Sequence, residues 1–272
     1  MSDAAASMKY GKCFSLGFKA AFEYRINFLF TVAGAVSPVV IQTVLWIALY
    51  GQDPAATLFG FTFAQMVAYT VIGQLVNRLV RTGFEYELNN DIKSGTLDRY
   101  LVKPVGYFGY RLFSFLGDKL VQSLLMALLL AAGVIALVCT LGFSITPAAV
   151  VLFIISLAAA FTLNFLLFWC VGLAGFWLTE IGFMFEASRI VIITLAGGIF
   201  PISVFGARAE RILALLPFRF TIQFPTELLC GRIPSQEIAP AFGIAAIWIV
   251  VLTALSQFLW RRGLRRFAAV GS

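Results

Sequence analysis

The 272-residue sequence contains no histidine. Imidazole acid–base chemistry, haem ligation through histidine and every histidine-containing metal site are excluded with it. Charge is scarce too. Asp, Glu, Lys and Arg make up 12% of the chain, against 61% hydrophobic residues and a mean hydropathy of +0.93. A water-soluble domain of this size needs far more polar surface, so the sequence predicts an integral membrane protein. Cysteine is sparse, and Cys13, Cys139, Cys170 and Cys230 form no CxxC pair. They read as small buried apolar residues, neither a disulfide framework nor a zinc site. The GxxxxGK[ST] phosphate loop is missing as well. "YGKC", Tyr10 to Cys13, lacks the preceding glycine and the hydroxyl residue.

What is present is a series of long apolar runs. Ile26–Tyr50 and Leu58–Asn77 carry no charge. Leu120–Thr179 is also charge-free and too long for one helix; "LGFSITP", Leu141 to Pro147, should split it. Ile190–Ala207 and Ile238–Trp260 complete six candidate spans, each close to the about 20 residues that cross a bilayer. The first run is too long for a signal-peptide core. The expected fold is an all-α polytopic membrane protein of one domain, residues 1–272, with no internal repeat.

The basic residues orient it. With both termini cytosolic, all but four of the 20 Lys and Arg fall on inner segments; the exceptions are Arg208, Arg211, Arg219 and Arg232. The flipped arrangement reverses that bias and is rejected. The net charge of +7 is thus a matter of placement about the membrane and not a nucleic-acid footprint. "RRGLRR", Arg261 to Arg266, reads as a stop-transfer anchor on anionic lipid. Ahead of the first run, Lys9, Lys12, Lys19 and Glu23 share one side of a helix whose other side is apolar, which suits an interfacial helix. Between the last two runs, Phe200–Pro234 is broken by Pro201, Pro217, Pro225 and Pro234. It reads as short or re-entrant helices on the outer face.

One stretch stands apart: "ELNNDIKSGTLDRYLVKP", Glu87 to Pro104. Leu88 and Ile92 form an i, i+4 pair among charges. Gly95 sits where a helix would stop. Thr96 can N-cap a second short helix, with Asp98 in its first turn. Leu97, Tyr100 and Leu101 give that helix an apolar face, and Pro104 ends it. Two amphipathic pieces at the cytosolic surface suit docking to a groove on a partner; a solvated loop is the plainer alternative. A divalent-metal site using Glu85, Glu87, Asp91 and Asp98 competes with Lys93 and Arg99 for the same acids.

Gln42, Trp46, Gln74, Asn77 and Asn164 lie inside predicted spans. They either line a substrate path or subunit seam, or bond to a neighbouring helix, the commoner role of such residues. Glu180, Glu186 and Arg189 fall in a short turn between the fourth and fifth runs. Glu227 has Arg219 and Arg232 as possible partners in a structural ion pair.

"DIKSGTLDRYLVKPV", Asp91 to Val105, resembles the segment between the second and third spans of the ABC-type-2 transporter permease family. "GGIFPISVF" followed by "LLPFRFTIQFPTELLCGRI", within Gly197 to Ile233, is similar to the same family's outer region, and "FEYRINFLF" to its entry into the first span. Phe205–Gly206 departs from it, since many relatives carry a proline there. The resemblance implies six spans in the cell (inner) membrane and a permease subunit of an exporter. That subunit pairs with a second permease half, a related chain or an identical copy, and sits on two copies of an ATP-binding subunit that hold ATP and Mg. It also implies that Glu87, Asp91, Ile92, Gly95, Leu97, Asp98, Arg99, Tyr100, Leu101, Lys103 and Pro104 form the coupling interface. The chain itself is expected to bind no cofactor or metal and to have no catalytic residues. A membrane protease would need a Ser/His pair, a metal or paired aspartates. An ATPase-independent channel or scaffold is the alternative reading.

Overall fold

The computed structural model describes residues 25–51, 56–101, 106–141, 146–178 and 181–270. The expected interfacial helix, Glu180, Lys103, Pro104 and the side chain of Leu101 lie outside the described residues.

Helix α1 spans Arg25–Tyr50. A two-stranded hairpin, β1 Thr57–Leu58 and β2 Phe61–Thr62, leads into α2, Phe63–Val80. This corrects the second apolar run: the helix begins at Phe63 rather than Leu58. The reason is local. The chain reverses through Phe59 and Gly60, both at positive φ. Thr62 then caps α2, its hydroxyl accepting from the Gln65 amide while the Gln65 side chain accepts from the Thr62 amide. Two short helices follow, α3 Phe84–Lys93 and α4 Asp98–Leu101, then the long α5, Tyr107–Leu141. Helix α6, Pro147–Leu173, starts where "LGFSITP" ends, with Thr146 as N-cap and Pro147 in the first turn. Helix α7 is Gly182–Leu195, α8 Ala207–Leu213, α9 Gln223–Leu229 and α10 Ser235–Val270.

Among the described residues, two helices are long and apolar enough to cross a membrane: Pro147–Phe176, with mean hydropathy 2.5, and Ser235–Phe267, with 2.3. Helix α1 turns Val40, Ile41, Val44 and Ile47 outward, while Trp46 and Tyr50 are buried against the chain. Such an apolar exterior is what lipid tails solvate. The interior is aromatic. Phe84 stacks on Phe165 at 4.4 Å, Phe165 on Trp169 at 5.9 Å and Tyr107 on Trp260 at 5.7 Å. This cluster joins α3, α5, α6 and α10 at one end of the bundle.

The fifth apolar run differs most from expectation. Ile190–Ala207 is not a helix; α7 starts earlier, at Gly182, and stops at Leu195. Its 14 residues reach about 21 Å at 1.5 Å each, short of the about 30 Å hydrocarbon thickness. The chain turns at Gly197, φ +74°, and is broken again by Pro201. A helix ending at this depth leaves carbonyls that water cannot reach. Protein donors supply the bonds. The Tyr69 hydroxyl donates to the Gly197 carbonyl at 2.6 Å, and Gln74 Nε2 to the Gly198 carbonyl at 2.9 Å. The Gln223 amide donates to the Ala196 carbonyl at 3.0 Å, while its side-chain oxygen accepts from the Ile202 amide at 3.0 Å. The short helices of 200–234 are thus fastened to the end of α7 and to the middle of α2. Replacing Tyr69 by Phe is expected to cost about 1–3 kcal/mol, the usual penalty for a buried acceptor losing its donor. Equilibrium unfolding in detergent micelles reads this, and unchanged stability would mean that the carbonyl has another donor.

Candidate functional site at the charged elbow

Helix α2 ends at Val80, and the chain bends through Arg81, Thr82 and Gly83 into α3. Glu85 and Glu87 occupy the first turn of α3, where the helix dipole favours negative charge. Phe84, Leu88 and Ile92 form its buried face. They lie on the end of α6 because two glycines there leave room. A Cβ on Gly172 would stand 2.7 Å from Leu88 Cδ2, and one on Gly175 2.8 Å from Asn89 Oδ1. Helix α3 stops as expected, with the Ser94 amide bonded to the Asn90 carbonyl and Gly95 at φ +71°. The Leu97 amide then returns to the Asp91 carbonyl at 3.0 Å.

The apolar stripe of this segment is spent inside the chain. Leu97 is 0% exposed and Ile92 6%, so neither is available to a groove on another protein. Tyr100 is half-buried, its ring 5.3 Å from Tyr107 and 4.9 Å from Tyr110. Thr96 does not cap α4 as its position suggests. Its hydroxyl donates to Asp91 Oδ1 at 3.0 Å and lies 2.9 Å from the Ser94 hydroxyl, fixing the turn at Gly95 instead. The face left open is polar, with Glu87, Asn90, Lys93, Ser94, Asp98 and Arg99 exposed.

Two arginines fasten α3 to distant helices. Arg111, near the start of α5, is 5% exposed. Its Nη1 pairs with Glu87 and its Nη2 with Asp91, while Nε donates to the Tyr107 hydroxyl at 2.9 Å. Tyr107 in turn donates to Asp91 Oδ2 at 2.5 Å. Arg189, on α7, places Nη2 2.5 Å from Glu85 Oε1 and donates from Nη1 to the Thr82 carbonyl at 3.2 Å. It therefore joins the buried backbone just past the end of α2 to the first turn of α3. The Glu85 side chain is completely buried. Burial pushes its carboxyl up, and Arg189 works against that shift. Glu186 is 3.8 Å from Arg189 Nε and accepts from the Tyr86 hydroxyl, which holds its carboxyl below the ordinary value. Glu85, Glu87 and Asp91 are engaged by Arg111 and Arg189 rather than by Lys93 or Arg99. Among the described residues, no three acids or cysteines converge closely enough to hold a metal ion.

The polar residues of the spans divide. Asn164 Nδ2 donates to the Val80 carbonyl at 2.5 Å, Gln74 bonds to Gly198, and Trp46 Nε1 donates to Thr70 Oγ1 at 2.9 Å. Asn164 and Trp46 tie helices together, and Gln74 ties α2 to the turn after α7. Gln42 is half-buried on α1, and Asn77 faces a small cavity beside Arg81. Glu227 pairs with Arg219 at 3.2 Å, not with Arg232. Arg232 instead binds the Gly60 carbonyl and Gln65 Oε1, each at 2.9 Å, above the Phe61 ring. Sequence reading passed over Tyr69, Gln223 and the part played by Arg111. The one available signal for Arg111 was a lone charge in the aromatic run "GYFGYRLF".

The model of a family described as ABC-2 family transporter protein matches residues 36–271. No curated protein matches the chain.

Proposed function

This chain belongs to the ABC-2 transporter family, and from that premise we propose that it is the permease subunit of an ABC exporter. In this reading it has six spans with both termini cytosolic in the inner membrane. It works beside a second permease half and above two copies of a separate ATP-binding subunit, which holds the ATP and Mg and performs the hydrolysis. The observation that carries the reading is the element formed by α3, Gly95 and α4. Its outer face is polar and exposed, while its inner face is locked to three other helices. A push on α3 reaches α5 through Arg111 and reaches α2 and α7 through Arg189, and one on α4 reaches α5 through the Tyr100 ring against Tyr107. Closure of the ATP-binding pair would then tilt those helices together and switch access from the cytosol or inner leaflet to the outside. The burial of Leu97 moves the expected docking surface to Lys93, Asp98 and Arg99.

The test is purification of the chain from its native cells in mild detergent, followed by mass spectrometry of what accompanies it. The variant carries Lys93→Glu, Asp98→Lys and Arg99→Glu. These residues are exposed, so stability should stay within about 0.5 kcal/mol per substitution. An ATP-binding protein is expected with the parent, and at least about tenfold less of it with the variant, since mismatched charge at a docking surface costs more than the about 1.4 kcal/mol that tenfold requires. Full retention by the variant would remove α3 and α4 as the docking surface. No ATP-binding protein with the parent, across several detergents, would overturn the permease reading itself. A second six-span chain in the sample would identify the other half.

A further inference from the structure

Three arginines meet where α2 ends: Arg78 in its last turn, Arg81 in the elbow and Arg189 from α7. The carboxylates beside them are Glu85 and Glu186, and both face Arg189, at 2.5 and 3.8 Å. Among the described residues, neither Arg78 nor Arg81 has a carboxylate within ion-pair distance. Partial desolvation, then the charges of Arg189 and Arg78, push the Arg81 guanidinium below its ordinary value, and Glu186 and Glu85 oppose the shift. Three arginines against two carboxylates leave the elbow one positive charge in excess.

A cavity of about 70 Å³ opens at the same place, between α2, α6 and α7. Its polar lining is Asn77, Arg81, Thr82, Asn164 and Arg189, and Phe168 and Ile192 belong to its apolar wall. Two buried groups at its edge are under-bonded: Arg189 Nε has Glu186 only at 3.8 Å, beyond hydrogen-bond distance, and Thr82 Oγ1 makes no hydrogen bond of ordinary geometry. Glu85 does not line it. Water could satisfy the donors but would leave the charge unmatched. A carboxylate has two oxygens, whereas these donors approach from three helices and suit a group with oxygens on several sides. The cavity lies at the end of an apolar helix, the depth at which lipid headgroups sit.

We propose that this cavity binds a phosphate group, carried either by a membrane lipid headgroup or by free phosphate. The proposal stands whether or not an ATP-binding partner is recovered. Arg81 would be the principal counter-charge, with Thr82 and Asn77 as hydrogen-bond donors and the apolar wall beside the first carbons of a lipid chain.

The test is native mass spectrometry of the detergent-purified complex after exposure to phosphatidylglycerol, to a diacylglycerol of the same chains or to inorganic phosphate. A thermal-unfolding scan accompanies each. Phosphatidylglycerol is expected to remain bound and diacylglycerol to leave. Arg81→Gln should weaken retention at least about tenfold, the scale of one charge-assisted contact, and Arg81→Lys should weaken it less. Arg208→Gln, an exposed arginine outside both this cavity and the basic run 261–266, should change nothing. Stabilisation by phosphatidylglycerol alone assigns the phosphate to lipid; equal stabilisation by inorganic phosphate assigns it to the free ion. The proposal is overturned if diacylglycerol binds as well as phosphatidylglycerol, or if Arg81→Gln loses no more than Arg208→Gln.

Discussion

Arg189→Ala is expected to destabilise the folded protein by about 3–5 kcal/mol, the usual effect of leaving a buried ionised group without its partner. The Glu85 side chain has no exposed surface, and Arg189 is its ion-pair partner. The substitution also removes the donor to the Thr82 carbonyl at the end of α2. Two features separate this effect from a simple packing loss. Replacing both partners with apolar residues, Arg189→Met with Glu85→Leu, should recover most of the stability, because a well-packed apolar pair avoids the desolvation of both charges. The single variant should also depend on pH. Burial already raises the Glu85 carboxyl, and without Arg189 only its own backbone amide and the Thr82 hydroxyl beside it oppose that shift. A carboxyl raised above its unfolded value near 4.3 favours the folded state below that value, and this advantage is lost as pH rises through the folded value. The defect should be smallest in acid and should grow toward neutrality. Thermal unfolding of the purified variants across pH measures both features. A single variant that is as stable as the parent at neutral pH would show that Glu85 is not held as a buried anion. The double variant carries a functional expectation too: it should fold, yet transmit partner ATP turnover to substrate movement less well, because α7 no longer grips α3 by charge.

The second large effect is expected at the break after α7. Gly197→Ala meets two obstacles. The backbone there has φ +74°, which costs an L-residue about 1–2 kcal/mol. The new Cβ would also stand 2.7 Å from the Tyr69 hydroxyl and against Gln223 Oε1. Moving those side chains breaks the bonds they make to Gly197 and Ile202, each worth about 1 kcal/mol or more when buried. The total comes to about 3–5 kcal/mol. Adding Gln223→Ala removes the overlap with Gln223 but restores neither the backbone conformation nor the bond to Ile202. The double variant should therefore stay less stable than the parent, and its two losses should combine non-additively. A loss under about 1 kcal/mol for Gly197→Ala would contradict the observed turn.

Residues that act through their own stretch of chain were readable in the sequence. Gly95 breaks the charged segment where its position says it must, and Thr146–Pro147 begins α6 where the apolar block needed a turn. The alternation of Phe84, Leu88 and Ile92 gives the buried face of α3. It does not say what covers that face, and a groove on a partner and the glycines of α6 satisfy the same pattern. Only Gly172 and Gly175, encoded about 80 residues later, decide between them. The end of α7 was hidden for a similar reason. A long apolar run reads as a span unless its carbonyls find donors elsewhere, and here those donors are Tyr69 and Gln74, more than 120 positions upstream. Hydropathy measures how well a segment suits lipid and is silent about remote hydrogen bonds. The charged segment was legible as an element, while its outward face was not, because the apolar residues that looked like anchors for a partner are anchors for the chain itself.

The link between Glu85 and Arg189 also sets a clock. Their positions differ by 104 in sequence. At a synthesis rate of about 5–20 residues per second, Glu85 leaves the ribosome about 5–20 s before its counter-charge. During that interval Glu85 lacks its counter-charge, although Arg111 already reaches Glu87 in the same turn, and the glycines on which α3 will rest arrive only shortly before α7. The elbow is therefore among the last parts of the molecule to close. A nascent chain halted before residue 189 presents an unmatched acid at the membrane surface, whereas a finished one conceals it, so a protease that cleaves accessible chain at the elbow would tell the two apart.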